Sequence, residues 1–445
     1  MKMDVRRMLM ISPHFPPDTS AGTHRARLLS AHLGASGWEP TVLTVDPRDY
    51  DTRLDHGLLG LVPAAVRVVR ARAWPASVTR RVGIGDLGLR AFTGLWRAAA
   101  HLLSRERFDI VYITTYPTYP ALLGPRLKAR HGVPFVLDLQ DPWVGSWGKT
   151  VGSGHDGAPD LRSRASRLVG AALETTVTPR ADAITAVSRG TFDELSSRVP
   201  VVRGTPFLEL PIGGDASDVD HISALGGANR LFDPADGLVH VCSVGTVLPR
   251  GIAGVEAVVG AVAQIRERRP DVFARLRLHF VGTSNLTATD APLRVMPIAE
   301  ASGVAEIVAE TPARVDYLDA LAIQRDAAAL LLLGSDEPHY TASKIYPALM
   351  VNRPIVAVYH RASSVVDILR CAGDVPPMHV ITFEATAKTP AVGREIAAAL
   401  IDATEHHGED GRLRAADRLG DLAAPALAAR FASFLESLPI LHASA

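Results

Sequence analysis

The chain has 445 residues, 47% apolar and 21% charged, with 47 basic residues against 47 acidic ones. Such a length suits two or three domains of roughly 150 residues with ample core material. A zero net charge excludes general attraction to nucleic acid. The two cysteines, Cys242 and Cys371, exclude a disulfide framework and point to a reducing, cytoplasmic setting, each reading as a buried small hydrophobe.

From the amino end, strands are predicted at Met8–Ser12, Thr41–Val45, Val66–Ala71, Ile110–Thr114, Phe135–Leu139 and Ala183–Val187. Met8–Ile11 is too short for a signal-peptide core, and no apolar run reaches the roughly 18 residues of a membrane span. Helices are predicted at His24–Leu33, Asp86–Ser104, Pro120–Arg130, Leu161–Thr178 and Thr191–Ser197. Alternating strand and helix signals indicate a parallel sheet with ligands at the carboxyl edge. A Pro/Gly-rich break over Arg203–Ser217 reads as a linker. Alternation then restarts, with strands at Val239–Val244, Arg277–Gly282, Glu306–Glu310, Ala328–Leu333 and Ile355–Val358. Its helices are predicted at Gly254–Arg269, Tyr317–Asp326, Ser343–Met350, Ser363–Cys371 and Ala391–Glu405. The Ala/Leu/Arg-rich stretch from Gly411 to Leu438 reads as helical.

The richest chemistry lies after the apolar run Ala328–Leu333. A short polar loop there leads into a helix near Ser343, with Lys344 in its first turn. Free N–H groups at a helix start plus a mobile cation make a diphosphate pocket. The opening segment, Ile11-Ser-Pro-His-Phe-Pro-Pro-Asp-Thr-Ser-Ala-Gly-Thr-His24, has a similar strand–loop–helix form, with Gly22 just before the helix. Val244-Gly-Thr-Val-Leu-Pro-Arg250 places another cation, Arg250, beyond a strand. Asp138 and Asp141, at a predicted strand end, read either as positioning a ligand hydroxyl or as steadying the loop, with the structural reading preferred for Asp138. Tyr116, Tyr119 and Trp143 read as rings that stack on a ligand or simply pack.

The segment Thr341-Ala-Ser-Lys-Ile-Tyr-Pro-Ala-Leu-Met-Val-Asn-Arg-Pro-Ile-Val356 resembles the Pro-Ser-Lys-x-x-Glu-Tyr-x-x-x-x-x-Pro-Val-Val signature of retaining family 4 glycosyltransferases. The Phe15-Pro-Pro loop, the segments 109–120 and 134–143, and Val244–Gly251 resemble further motifs of that family. The resemblance implies an α/β GT-B fold, with two Rossmann-like domains facing across a cleft. It implies an acceptor-binding domain over residues 1–212 and a nucleotide-sugar-binding domain over 213–410. The remaining 411–445 would be a helix packing back toward the first domain. It also implies that Arg250 and Lys344 steady the departing diphosphate and that Asp141 serves the acceptor. Gly22, Thr23, Gly245, Thr246, Gly282, Arg314, Val315, His339, Tyr340, Ser343 and Ile345 would line the donor. His14, His24, Tyr116 and Trp143 would face the acceptor, and no metal or other cofactor would be needed. Pro347 stands where the family's ribose-gripping glutamate is usual, and His339 where an acidic residue is common.

The function this implies is retaining transfer of a sugar from a nucleotide sugar to a small molecule, glycan or lipid-linked acceptor. Three other readings stay open: a transferase with a thiol or other non-hydroxyl acceptor, a nucleotide-sugar epimerase, and a non-catalytic nucleotide-sugar binder. Residues Val66–Arg107 carry Arg67, Arg70, Arg72, Arg80, Arg81, Arg90, Arg97, Arg105 and Arg107 against Asp86 and Glu106. That segment reads either as a peripheral membrane contact or as a solvated helix face with Trp96 in the core. Gly148-Lys-Thr150 fails as a P-loop because Trp143 falls at its first glycine, and Ala186–Gly190 lacks the first glycine of a nucleophile elbow.

Overall fold

The computed structural model describes residues 5–141, 143–144, 161–284, 291–335, 343–372, 377–406 and 418–442. It divides into two compact units, Met1–Ile212 with Ala424–Ala445, and Gly213–Ala423.

The first unit is built on seven parallel strands: β1 (Arg6–Ile11), β2 (Trp38–Val45), β3 (Arg67–Ala71), β4 (Ile110–Thr114), β5 (Phe135–Leu139), β6 (Ala183–Ala186) and β7 (Phe207–Glu209). They form one sheet in the order β3-β2-β1-β4-β5-β6-β7. Near-continuous apolar runs such as Met8–Ile11 are what a sheet covered on both faces requires. Successive side chains of β1 divide accordingly. Leu9 and Ile11 enter the cluster holding Leu95, Leu127 and Phe135. Met8 and Met10 enter another with Trp38, Leu427 and Phe431. Helix Ala424–Glu436 therefore completes one face of this unit.

Helix Leu87–Arg105 starts where Asp86 accepts a hydrogen bond from the Leu89 amide at 2.9 Å. A Cβ on its Gly94 would meet the Arg72 carbonyl oxygen at 2.0 Å, so that glycine sets how closely the helix approaches the chain leaving β3. Several arginines of the basic segment are already paired. Arg67 bridges to Glu106, Arg72 to Asp49 and Arg80 to Asp51. Arg90 is buried and donates to the Asp49 and Trp74 carbonyls, while Trp96 packs against the core. These contacts match the solvated-face reading, with much of the segment's charge balanced locally.

The second unit carries six parallel strands: β8 (Val239–Val244), β9 (Leu276–Val281), β10 (Val308–Thr311), β11 (Ala329–Leu333), β12 (Ile355–His360) and β13 (Met378–Phe383). Their order in the sheet is β10-β9-β8-β11-β12-β13. Helices Ile252–Arg268 and Pro390–Glu405 contribute Val258, Val262, Ile396 and Leu400 to its main core. Cys242 is buried in β8, but Cys371 is exposed at the end of helix Ser364–Cys371, which corrects the reading of both as buried. Among the described residues no helix is long and apolar enough to cross a membrane.

Candidate functional site

In a parallel sheet a crevice opens at the carboxyl edge where the strand order reverses, because the connections on either side run in opposite directions. The second unit's reversal falls between β8 and β11. An open recess of about 340 Å³ lies there, lined by Ser243, Gly245, Thr246 and Leu248 from the β8 side and Gly334 and Ser335 from the β11 side, with Lys344. The sequence reading anticipated Gly245, Thr246 and Lys344 at this place, and the structure brings them together.

Each part has a local cause. Gly245 has φ +129°, a conformation L side chains rarely adopt, and its amide donates to the Val281 carbonyl at 2.8 Å. A Cβ there would lie 3.4 Å from Lys344 Cδ, so the lysine stem runs beside the bare backbone. Gly334 lacks a side chain because the ring of Tyr359 fills the space; a Cβ on it would meet that ring at 2.5 Å. Lys344 is half-buried, and desolvation lowers its ammonium from 10.5 to about 8. A lysine held so is readily recharged by an anion.

Other expectations change. The helix begins at Ile345 rather than Ser343 and has only 6 residues, so Lys344 and the recess, not a long helix dipole, must carry anion attraction. Ile345 is fully buried in the core and is removed from the ligand-facing set, while Ser343 is exposed. Arg250 is exposed in the turn Pro249–Gly251, beside the recess but outside its lining. Gly282, with φ +70°, ends β9, and exposed Arg314 and half-buried Val315 follow β10; they border neighbouring strand ends. His339 and Tyr340 lie outside the described residues. Ser243 and Ser335, both buried, are recess residues that sequence reasoning missed, since single serines carry no pattern.

In the first unit the order reverses between β1 and β4. His14, after β1, lies against Tyr116, after β4, with ring centroids 5.5 Å apart. Gly22 adopts ordinary helical geometry, and a Cβ on it would meet Tyr116 Cδ1 at 2.7 Å. That ring takes the space a side chain at this position would need. Thr23 is fully buried and donates its hydroxyl to Asp18 at 3.1 Å, which removes it from the donor-facing set. His24 is half-buried on helix Thr23–His32, near Arg27. Trp143 packs against the core instead of standing ready to stack on a sugar, and Asp141 is exposed after β5. Asp138 is structural: fully buried, it accepts from Arg25 Nε at 3.1 Å and Thr185 at 2.8 Å. Arg25 also donates to the Pro211 carbonyl at 2.8 Å and to that of Leu210. Among the described residues no cluster of His, Cys, Asp or Glu is arranged to hold a metal.

Two parallel α/β units, each with a reversal of strand order, define the fold class: this is the two-domain architecture of GT-B structures. More particularly, residues 21–206 match the family described as the glycosyl transferase 4-like domain. No protein of curated function matches the sequence. Among solved structures the chain is similar to HepE of Anabaena in complex with UDP and glucose. That likeness has 15% identity and TM-score 0.55, covering 97% of this chain and 99% of the other. It is also similar to a UDP-forming α,α-trehalose-phosphate synthase of Burkholderia xenovorans, at 12% identity and TM-score 0.57, over 97% and 99% of the two chains. An E. coli trehalose-6-phosphate protein bound with UDP-2-fluoro glucose matches at 13% identity and TM-score 0.58, again over 97% and 99%.

Proposed function

We propose that the chain is a retaining glycosyltransferase whose second unit binds a nucleoside diphosphate sugar and whose first unit takes the acceptor. The observation that carries this reading is the switch-point recess, where Lys344 runs beside the bare backbone of Gly245 and Ser243 and Ser335 belong to the same lining. Backbone free of a Cβ admits phosphate oxygens closely, and the ammonium neutralises charge that grows on the leaving diphosphate. Arg250, on the adjacent turn, would add a second cation to the same anion. In the similar structures the bound molecules are UDP, UDP-glucose and a fluorinated analogue, which makes UDP-glucose the first donor to try. Pro347 offers no carboxylate to the ribose, so binding rests more heavily on the diphosphate.

Calorimetry with UDP tests the reading. Losing one charge-assisted contact costs about 1.5–3 kcal/mol. Lys344→Ala should therefore weaken UDP binding by roughly tenfold to a hundredfold, with the melting temperature unchanged. Equal affinity in the variant, or no UDP binding by the wild type, would remove the assignment. Release of UDP from UDP-glucose in the presence of candidate acceptors then reads the transfer itself.

A further inference from the structure

The reversal of the first unit's sheet holds polar chemistry that donor binding does not use. His14, 9% exposed, places Nδ1 at 2.7 Å from Asp18 Oδ2. Asp18 is fully buried and is heavily supplied with donors. Thr52 Oγ1 donates to it at 2.6 Å, Thr23 Oγ1 at 3.1 Å and the Ser20 amide at 3.2 Å, and the Ser20 hydroxyl donates as well. Burial would raise its carboxyl, but the hydrogen bonds with His14, Ser20 and Thr52 outweigh burial and hold it well below the usual carboxylate range. An ionised carboxylate only accepts, so the proton of the His14–Asp18 bond sits on Nδ1. In the neutral ring the lone pair is then on Nε2, which has no hydrogen-bond partner among the described residues.

The ring's position is equally fixed. Tyr50 lies roughly parallel to it, with centroids 6.3 Å apart, and Tyr116 is tilted against it. Ser12 Oγ donates to the His14 carbonyl at 2.8 Å, and Thr114 Oγ1 to Ser12 Oγ at 3.0 Å, which joins the loop after β1 to the end of β4. A buried carboxylate with this many partners is a costly way merely to fasten a loop. It fixes the proton on one ring nitrogen and leaves the other without a partner among the described residues, on the loop that follows β1 at the reversal of the sheet.

We propose that His14 Nε2 accepts a hydrogen bond from the sugar hydroxyl that receives the transferred group, with Asp18 as the positioning residue that fixes the ring's tautomer. This rests on the reading that the first unit takes the acceptor. Protonation of His14 would replace the lone pair by a second donor and abolish the contact. The titratable groups facing the ring are Asp18 of its own loop, Asp86 at the start of helix Leu87–Arg105, Tyr50 after β2 and Tyr116 after β4. Burial raises the Asp86 carboxyl and pushes the Tyr50 hydroxyl well up.

The test uses the full chain with UDP-glucose as donor, and with water and a panel of methyl glycosides as acceptors. UDP binding is measured separately. His14→Asn can keep the Nδ1-type hydrogen bond to Asp18 but lacks an atom at Nε2; it should lower kcat/KM for the acceptor at least tenfold while UDP affinity stays unchanged. His14→Gln, whose amide reaches the Nε2 position, should retain more activity and lose the acidic limb of the wild-type pH profile. Asp18→Asn should lower kcat and shift that limb. Wild-type acceptor kinetics in His14→Asn would overturn the proposal, because fastening alone survives that change. An acidic limb kept in both His14 variants, or no turnover by a UDP-binding wild type with any acceptor, would overturn it too. Loss of UDP binding by the wild type strikes the donor reading instead.

Discussion

Lys344 is charged when the pH is below its lowered value of about 8 and neutral above it. A diphosphate favours the charged form, so UDP affinity should be full near pH 7 and weaken as the pH rises through about 8. Calorimetry from pH 7 to 9.5 checks this, with Lys344→Arg, which stays charged, as the flat control; a flat wild-type curve would dismiss the lysine as the titrating group. Asp138 tests a different residue-scale claim. Asp138→Asn would strand Arg25, whose side chain is 1% exposed, without its carboxylate. Breaking a buried pair costs about 3–5 kcal/mol, whereas replacing both partners by apolar residues costs much less. Urea unfolding of Asp138→Asn and of an Arg25→Met/Asp138→Leu double variant should show that order, and a loss below about 1 kcal/mol for the single change would contradict it. Lys344 and Gly245 were legible in the sequence because they stand at fixed offsets from apolar runs. Asp18 as the partner of His14, and Arg25 as the partner of Asp138, were not. Arg25 and Asp138 lie 113 positions apart on different segments, and His14 and Asp18, only four apart, meet through the fold of a proline-rich loop that carries no periodic signal.

At the scale of elements, helix Leu87–Arg105 and helix Ile252–Arg268 carry Gly94 and Gly260 in their interiors, and these two glycines should respond oppositely to substitution. Glycine inside a helix usually costs about 0.8–1.0 kcal/mol relative to alanine. At Gly260 nothing lies within 4 Å of an added Cβ, so Gly260→Ala should stabilise by up to about that amount. At Gly94 the added atom would meet backbone, so Gly94→Ala should destabilise instead. Differential scanning calorimetry of the two variants compares them directly, and a rise in melting temperature for Gly94→Ala would refute the close approach. Strands bounded by turns, such as Ile110–Thr114, Phe135–Leu139 and Val239–Val244, matched the sequence reading residue for residue. The strands that escaped it had weaker signals. β7 is only 3 residues long and sits inside the Pro/Gly-rich stretch read as a linker. β13 is half-buried over much of its length, with His379 and Thr382 interrupting its apolar pattern. Helix Ile345–Met350 was overextended because Ser343 looks like a cap, whereas Lys344 occupies that place.

At the scale of the whole molecule, the first unit is discontinuous in sequence. It runs to Ile212 and resumes at Ala424, and in between the chain builds the second unit. Leu427, Phe431, Leu435 and Leu438 fill one face of the first unit's sheet. At about 1.5–3 kcal/mol per buried side chain, the four contribute at least about 6 kcal/mol, comparable with the net stability of a typical domain. A chain ending at residue 423 should therefore lose the cooperative unfolding of its first unit, read by circular dichroism and limited proteolysis; an unaltered melting transition would show the helix to be dispensable. The crossing itself is stitched within the second unit, where Gly214 pairs with Ala423 and its amide donates to the Leu422 carbonyl at 3.2 Å. This connectivity has a consequence for biosynthesis. As the chain leaves the ribosome, the unit made first remains open along one face until helix Ala424–Glu436 arrives. The second unit, contiguous in sequence, is complete before it. The order of maturation is then the reverse of the order of translation.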